Sequence, residues 1–160
     1  METATKTNSR LETKLGFDKI RKSIQDRCAT DYAAERVAAE QFCTSPKEIR
    51  KRLDLTDEMR LILMFEENFP TTGYIDALGF LDALQTPGSS ISVMNLAKVK
   101  TLTDTTRKIT VFFSSVKDEV YPNLKKFAKT VRTYPEVTRR IENILDRYGE
   151  IKDTASDELC

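Results

Sequence analysis

The 160-residue chain contains no histidine and no tryptophan. Without histidine, the one side chain that ordinarily titrates near neutral pH is missing, so Ser-His and Cys-His nucleophilic catalysis are excluded. Cysteine is scarce: Cys28, Cys43 and Cys160 stand at unrelated spacings. A metal site would want paired thiolates or imidazoles, so these read as reduced, structural thiols. The few glycines are isolated, and none belongs to a G-x-x-x-x-G-K-[ST] loop that could cradle phosphates. No apolar run is long enough to span a bilayer. Met1 to Ser9 is polar and lacks the apolar centre of a signal peptide, an expectation of a cytoplasmic chain with no membrane partner.

What is there is one domain's length of charged, amphipathic sequence. The apolar fraction is 39% and the charged fraction 32%, less apolar and more charged than average. That balance suits helices with one buried stripe in an elongated body. After a polar tail at residues 1–10, Phe17, Ile20, Ile24 and Cys28 recur at helical spacing. Thr30 and Asp31 can cap a second helix through Tyr32, Val37 and Phe42. Ser45-Pro46-Lys47-Glu48 is a full helix start, a capping box with Pro at the first helical position. The third helix carries Ile49, Leu53, Thr56 and Leu63 on one side. Its end, Leu61 to Phe65, is apolar all round and predicts burial by several neighbours.

Asn68 to Gly73 breaks that pattern, and a short helix follows with Ile75, Leu78, Leu81 and Leu84 inward. Thr86 to Ser90 is a turn cluster. Ser92 can cap a long helix through Leu96, Val99, Thr106, Ile109 and Phe113. The β-branched run Ile109 to Phe113 could be strand by propensity, but its place in a 3.6-residue period favours helix. Tyr121-Pro122 and Tyr134-Pro135 each start a helix, the first with Leu124, Phe127, Ala128 and Val131 on one face, the second with Val137, Ile141, Ile144 and Leu145. Gly149 closes the last. The expectation is all-α: about seven amphipathic helices in an elongated bundle, with at most a short extended pairing near Gly149 to Asp153.

Charge is segregated along the chain. Residues 1–52 carry a net +4, residues 53–94 a net −6 and residues 95–152 a net +6. Such segregation can steer an anionic partner to one surface; equally, acidic and basic helices can pack side by side and neutralise each other. The densest basic run is Lys125, Lys126, Lys129, Arg132, Arg139 and Arg140, opposed over that stretch only by Glu136. Lys125, Lys129 and Arg132 at i, i+4, i+7 would form a stripe on one helix side. Phosphate contacts need only positive charge at loose spacing, so Lys125, Lys129, Arg132, Arg139 and Arg140 are the candidate nucleic-acid ligands. A solvated helix face is the alternative. Phe112, Phe113, Phe127 and Tyr134 sit where a core would want them and offer no stacking platform. Glu66 and Glu67 near Asp76 read as a solvated carboxylate group, not a Mg²⁺ or acid–base site. No catalytic, metal or cofactor-binding residue is expected.

The stretch Asp146 to Leu159, DRYGEIKDTASDEL, resembles the D-x-x-G-x-[IV]-x-D-x-A-S-x-x-L segment of bacterial MutS-like ATPases. It is closest to the second MutS branch, whose members end in a small MutS-related nuclease domain. Leu15 to Ile20 is similar to the L-x-F-x-K-I that opens that branch. Pro46, Ile49, Leu53, Thr56 and Glu58 follow its P-x-x-I-x-x-x-L-x-x-T-x-E helix. The Gly73 to Leu84 and Ile91 to Thr106 helices fall where two core helices stand. The chain departs from the pattern at Tyr32-Ala33-Ala34, where a glycine is usual.

The resemblance spans residues 11 to 159 and implies the N-terminal core region of such a protein, before its lever, clamp and ATPase parts. Ser156, followed by Asp157 and Glu158, would start the lever helix. The implied function is transmission between an ATPase dimer and arms that hold DNA or stalled ribosomes, with DNA or ribosomal RNA as partner. ATP and Mg²⁺ would belong to the homodimeric parent, not to this chain. A stand-alone helical adaptor for protein–protein contact is the rival reading.

Overall fold

A computed structural model describes residues 11–155; the predicted tail at 1–10 and the predicted helix start at Ser156 lie outside them. Seven helices have defined bounds: α1 Phe17–Gln25, α2 Asp31–Ala38, α3 Pro46–Phe65, α4 Leu78–Ala83, α5 Val93–Ser115, α6 Pro122–Ala128 and α7 Pro135–Ile144. The starts of α2, α3, α5, α6 and α7 follow signals legible in the sequence. The Thr30 and Ser92 hydroxyls accept from Ala33 N at 3.1 Å and Asn95 N at 3.2 Å. Ser45 Oγ accepts from Glu48 N at 3.4 Å, and Pro122 and Pro135 take first helical positions, where a missing N–H costs nothing. The run Ile109 to Phe113 is helical within α5. Among the described residues the one extended pairing is an antiparallel bridge between Leu145 and Ile151. The fold is all-α.

The chain divides into two compact units, Met1–Ile49 and Arg50–Cys160. In the first, α1 packs on α2. Arg21 fastens it, donating to both oxygens of Glu12 at 2.9 Å and to the Glu40 carbonyl at 3.3 Å. This pairing holds the Glu12 carboxyl below its ordinary range. Neither helix contains a buried residue. The predicted apolar face of α1 therefore stays open: Phe17, Ile20 and Ile24 are each about half exposed. The second helix stops at Ala38, short of the predicted Phe42, which is exposed.

In the second unit, Ile62, Phe69, Phe112, Phe113, Tyr121 and Ala128 form the core. The three phenylalanines meet edge to face, with Phe69–Phe112 and Phe112–Phe113 centroids 5.1 Å apart. This is the arrangement that aromatic quadrupoles favour. α5 packs against both α6 and α7, and Thr138 Oγ1 donates to Thr103 Oγ1 at 3.0 Å. Gly73 adopts φ 82°, and a Cβ there would overlap the Thr105 hydroxyl.

Two sequence expectations are corrected here. The end of α3 is not buried all round: Leu63, Met64 and Phe65 are exposed, because only the side carrying Glu58 and Ile62, one turn apart, meets the core. The short helix is not inward either. Leu78, Leu81 and Leu84 are all exposed, and the buried residue is Ala77, just before it.

Candidate nucleic-acid interface

The five predicted ligands are not one array. α6 has seven residues and ends at Ala128, so Lys129 is its C-cap and Arg132 lies beyond it. The single-helix stripe of Lys125, Lys129 and Arg132 therefore does not form. Periodicity carried the pattern through Thr130-Val131, but the Thr130 and Val131 amides bond back to Phe127 and Ala128, three residues before them, and close the helix as a turn.

Lys125 is turned inward. Its Nζ donates to the Val116 carbonyl at the end of α5 and lies 2.8 Å from Asp118 Oδ1. Lys129 Nζ is 3.8 Å from the same oxygen. The exposure of the three side chains separates their roles: 12% for Lys125, against 67% for Lys129 and 70% for Asp118. The bond from Lys125, reinforced by the charges of both lysines, holds the Asp118 carboxyl below its ordinary range. Beside this group a cleft of about 230 Å³ opens between α5 and α6, lined by Thr110, Phe113, Ser114, Lys125 and Lys129. Arg132 follows α6, and Arg139 and Arg140 stand on α7. All three are exposed, and none has an ion pair among the described residues.

The aromatic residues divide differently from the sequence expectation. Phe112 and Phe113 are core, but Phe127 is 66% exposed and Tyr134 51% exposed. α6 is short, and the face it presents to the core carries Ala128 and Leu124; Phe127 points away.

Two carboxylates prove structural: Glu66, expected from the sequence to be solvated, and Glu58 of the MutS-like helix motif. The Glu66 carboxylate accepts from the Tyr121 hydroxyl at 3.0 Å; burial and this bond raise the Tyr121 phenol above its ordinary pKa. Glu58, 8% exposed, accepts from Asn123 N at 3.0 Å and Leu124 N at 2.7 Å, and from Asn123 Nδ2 at 2.7 Å. It is the N-terminal cap of α6, supplied from α3, since Tyr121 at the cap position makes no side-chain bond of its own. Nothing local marks this, because the partners are 65 residues apart. Acidic and basic segments thus meet here through backbone amides and neutral side-chain donors.

The Asp146 to Gly149 turn has a clear mechanism. α7 ends at Ile144, five residues before the predicted stop at Gly149. Asp146 Oδ1 accepts from Tyr148 N at 2.8 Å and Glu150 N at 2.9 Å, an Asx-type turn. Gly149 takes φ 84°, where a Cβ is strained. Asp146 N then bonds Glu150 O, and Lys152 N bonds Ile144 O, both at 2.8 Å, around the Leu145–Ile151 bridge.

Among the described residues no group of three or more histidine, cysteine or acidic side chains could hold a metal ion. Cys28 and Cys43 are free thiols. No helix of the described residues is long and apolar enough to cross a membrane.

The architecture defines a helical segment with a capped α3–α6 joint and an Asx turn, to which the MutS-like motifs contribute Glu58, Asp146 and Gly149. Comparison with curated proteins agrees. The chain is 29% identical over 156 residues to Endonuclease MutS2 of Leuconostoc mesenteroides, covering 95% of this chain and 19% of that protein. It is 28% identical to Endonuclease MutS2 of Clostridium beijerinckii and 25% to that of Geobacillus kaustophilus, each over 147 residues, 91% of this chain and 19% of the relative. The chain is a homologue of the MutS2 branch and spans about a fifth of the length of these relatives. No family model matches it, and no solved structure does.

Proposed function

We propose that this chain is the helical core segment of a MutS-like nucleic-acid-binding ATPase, passing the state of an ATPase to arms that hold DNA or ribosomal RNA. The observation that carries the reading is that similarity to MutS2 proteins runs through 91–95% of the chain yet covers only 19% of theirs. Within the chain, the motif residues Glu58, Asp146 and Gly149 serve joints between elements, as a transmitting part requires. ATP, Mg²⁺ and any dimerisation belong to the longer protein. On this reading the 160 residues alone neither hydrolyse ATP nor cut DNA, and purified chain should match a protein-free blank. Hydrolysis lost on mutating one of its own residues overturns the reading.

Direct nucleic-acid contact falls to the exposed cations Lys129, Arg132, Arg139 and Arg140, with Lys125 behind them. Non-specific binding with a dissociation constant of about 10⁻⁴ M is expected, the weak end of the usual range for a few phosphate contacts. Each phosphate contact contributes about 0.9 to the slope of log affinity against log salt on duplex DNA. Replacing Arg132, Arg139 and Arg140 together by Gln should flatten that slope by up to about 2–3 units. An unchanged slope in a folded variant makes these residues a solvated face. The rival, a helical protein-interaction domain, draws on the open apolar face of α1, where Phe17, Ile20 and Ile24 are each about half exposed. It predicts no salt-dependent DNA binding at all.

A further inference from the structure

The group formed by Asp118, Lys125 and Lys129 is more specific than a surface ion pair. Lys125 is held from two directions, by the Val116 carbonyl and by Asp118, and its side chain is almost wholly withdrawn from solvent. The carboxylate that pairs with it, Asp118, is exposed. Lys129 approaches that carboxylate from the solvent side at 3.8 Å. Two ammonium groups therefore converge on one oxygen that faces water. A phosphate oxygen accepts from ammonium donors at the same distances as a carboxylate oxygen. The neighbouring cleft of about 230 Å³ gives such a group room. The Thr110 and Ser114 hydroxyls in that cleft already donate to the Arg107 and Thr110 carbonyls at 2.8 Å. The two lysines and the Thr133 hydroxyl are thus the side-chain donors left to direct an anion in that cleft.

We propose that Asp118 stands in, within the chain, for a nucleic-acid phosphate between Lys125 and Lys129, and restrains binding by competing for both ammonium groups. This rests on the nucleic-acid reading above and adds a regulator to it. The lysines hold the Asp118 carboxyl below its ordinary range, so it is charged throughout the neutral range and pH does not relieve the competition. Displacement by a phosphate does. Asp118 lies in the connection from Val116 to Tyr121, between α5 and α6, and only its side chain need swing out.

The test is Asp118→Asn in the full 160-residue chain, titrated by fluorescence anisotropy against a short duplex DNA at several salt concentrations. Freeing two phosphate ligands should steepen the salt slope by about 0.9–1.8 units and tighten binding several-fold at low salt. Glu119→Gln changes net charge equally, at an exposed neighbour with no ion pair among the described residues, and should give a clearly smaller gain. Adding Lys129→Gln to Asp118→Asn should cancel about half of the added slope.

Equal gains for Asp118→Asn and Glu119→Gln would reduce the effect to net charge and overturn the proposal. So would an unchanged slope in Asp118→Asn while the Arg132, Arg139 and Arg140 variant still flattens it, and in that case the nucleic-acid reading survives. If neither wild type nor Asp118→Asn binds, both fall. Should Asp118→Asn lose its helical circular dichroism, Asp118→Ser takes its place in the same cycle with Lys129→Gln.

Discussion

Glu58→Gln is the substitution whose cost the structure defines best. The Glu58 carboxylate receives two backbone amides and one side-chain amide, at 2.7–3.0 Å, in a site only 8% exposed. Glutamine keeps the length and one acceptor oxygen, which can still serve the Asn123 donors. Its NH₂ group then faces the Leu124 N–H, so one buried donor is left unsatisfied beside another. Leaving a buried donor orphaned costs about 1–3 kcal/mol, and loss of a helix cap costs about 0.5–2 kcal/mol. These describe the same event and do not add, so about 2 kcal/mol is expected. For a chain of this length that lowers the melting temperature by about 4–8 °C. Glu58→Ala loses all three bonds and should cost about 2–4 kcal/mol. Asn123→Ala removes only the side-chain bond and should cost about 1 kcal/mol. Thermal melts followed by far-ultraviolet circular dichroism rank the three. A Glu58→Gln variant that melts within a degree of wild type refutes the cap.

Gly73→Ala should destabilise by about 2–4 kcal/mol in urea melts, since it adds left-handed strain of about 1–2 kcal/mol to overlap with the buried Thr105 hydroxyl. Gly149→Ala carries the same strain, but its Cβ would meet nothing closer than Ala97 at 3.7 Å. It should therefore cost less, about 1–2 kcal/mol, and the reverse order would contradict the geometry. Asp146 is held below the ordinary carboxylate range, chiefly by the Glu150 amide and then by those of Tyr148 and Gly149. Its folded pKa is thus lower than its unfolded one. The stability it supplies is present in full above the unfolded value and is lost as pH falls through the folded one. Urea midpoints of wild type and Asp146→Asn should differ by a constant amount near neutral pH and converge below about pH 4; a gap that widens in acid refutes the sign.

Much of the local structure was legible in the residues. Thr30, Ser45 and Ser92 cap helices by accepting amides three residues ahead, and Pro122 and Pro135 start helices because their missing N–H is not needed there. These rules act within one turn and need no knowledge of the rest of the chain. The long period through Ile109 to Phe113 likewise outweighed its β-branched propensity. The basic run was legible as charge, but not as geometry. Seven residues of α6 cannot carry a stripe through Arg132, and a helical repeat in sequence does not say where the helix stops.

The sequence by itself determined an all-helical chain, the positions of most helix starts, the short pairing around Ile151 and the kinship with MutS-like proteins. Each follows from local backbone chemistry or from residues in a fixed order. Only the tertiary structure decided which apolar side chains are buried. Ile62 and Phe112 are enclosed, while Phe65 and Phe127, no less apolar, face solvent, because burial depends on what another element brings to that face. It alone also decided that Glu58 and Asp118 are not free surface charges. Each has its partner across a gap in the chain, Glu58 across 65 residues and Asp118 across a turn between two helices. A charge's role is set by the donors that the fold places beside it, and no periodicity in the sequence records them.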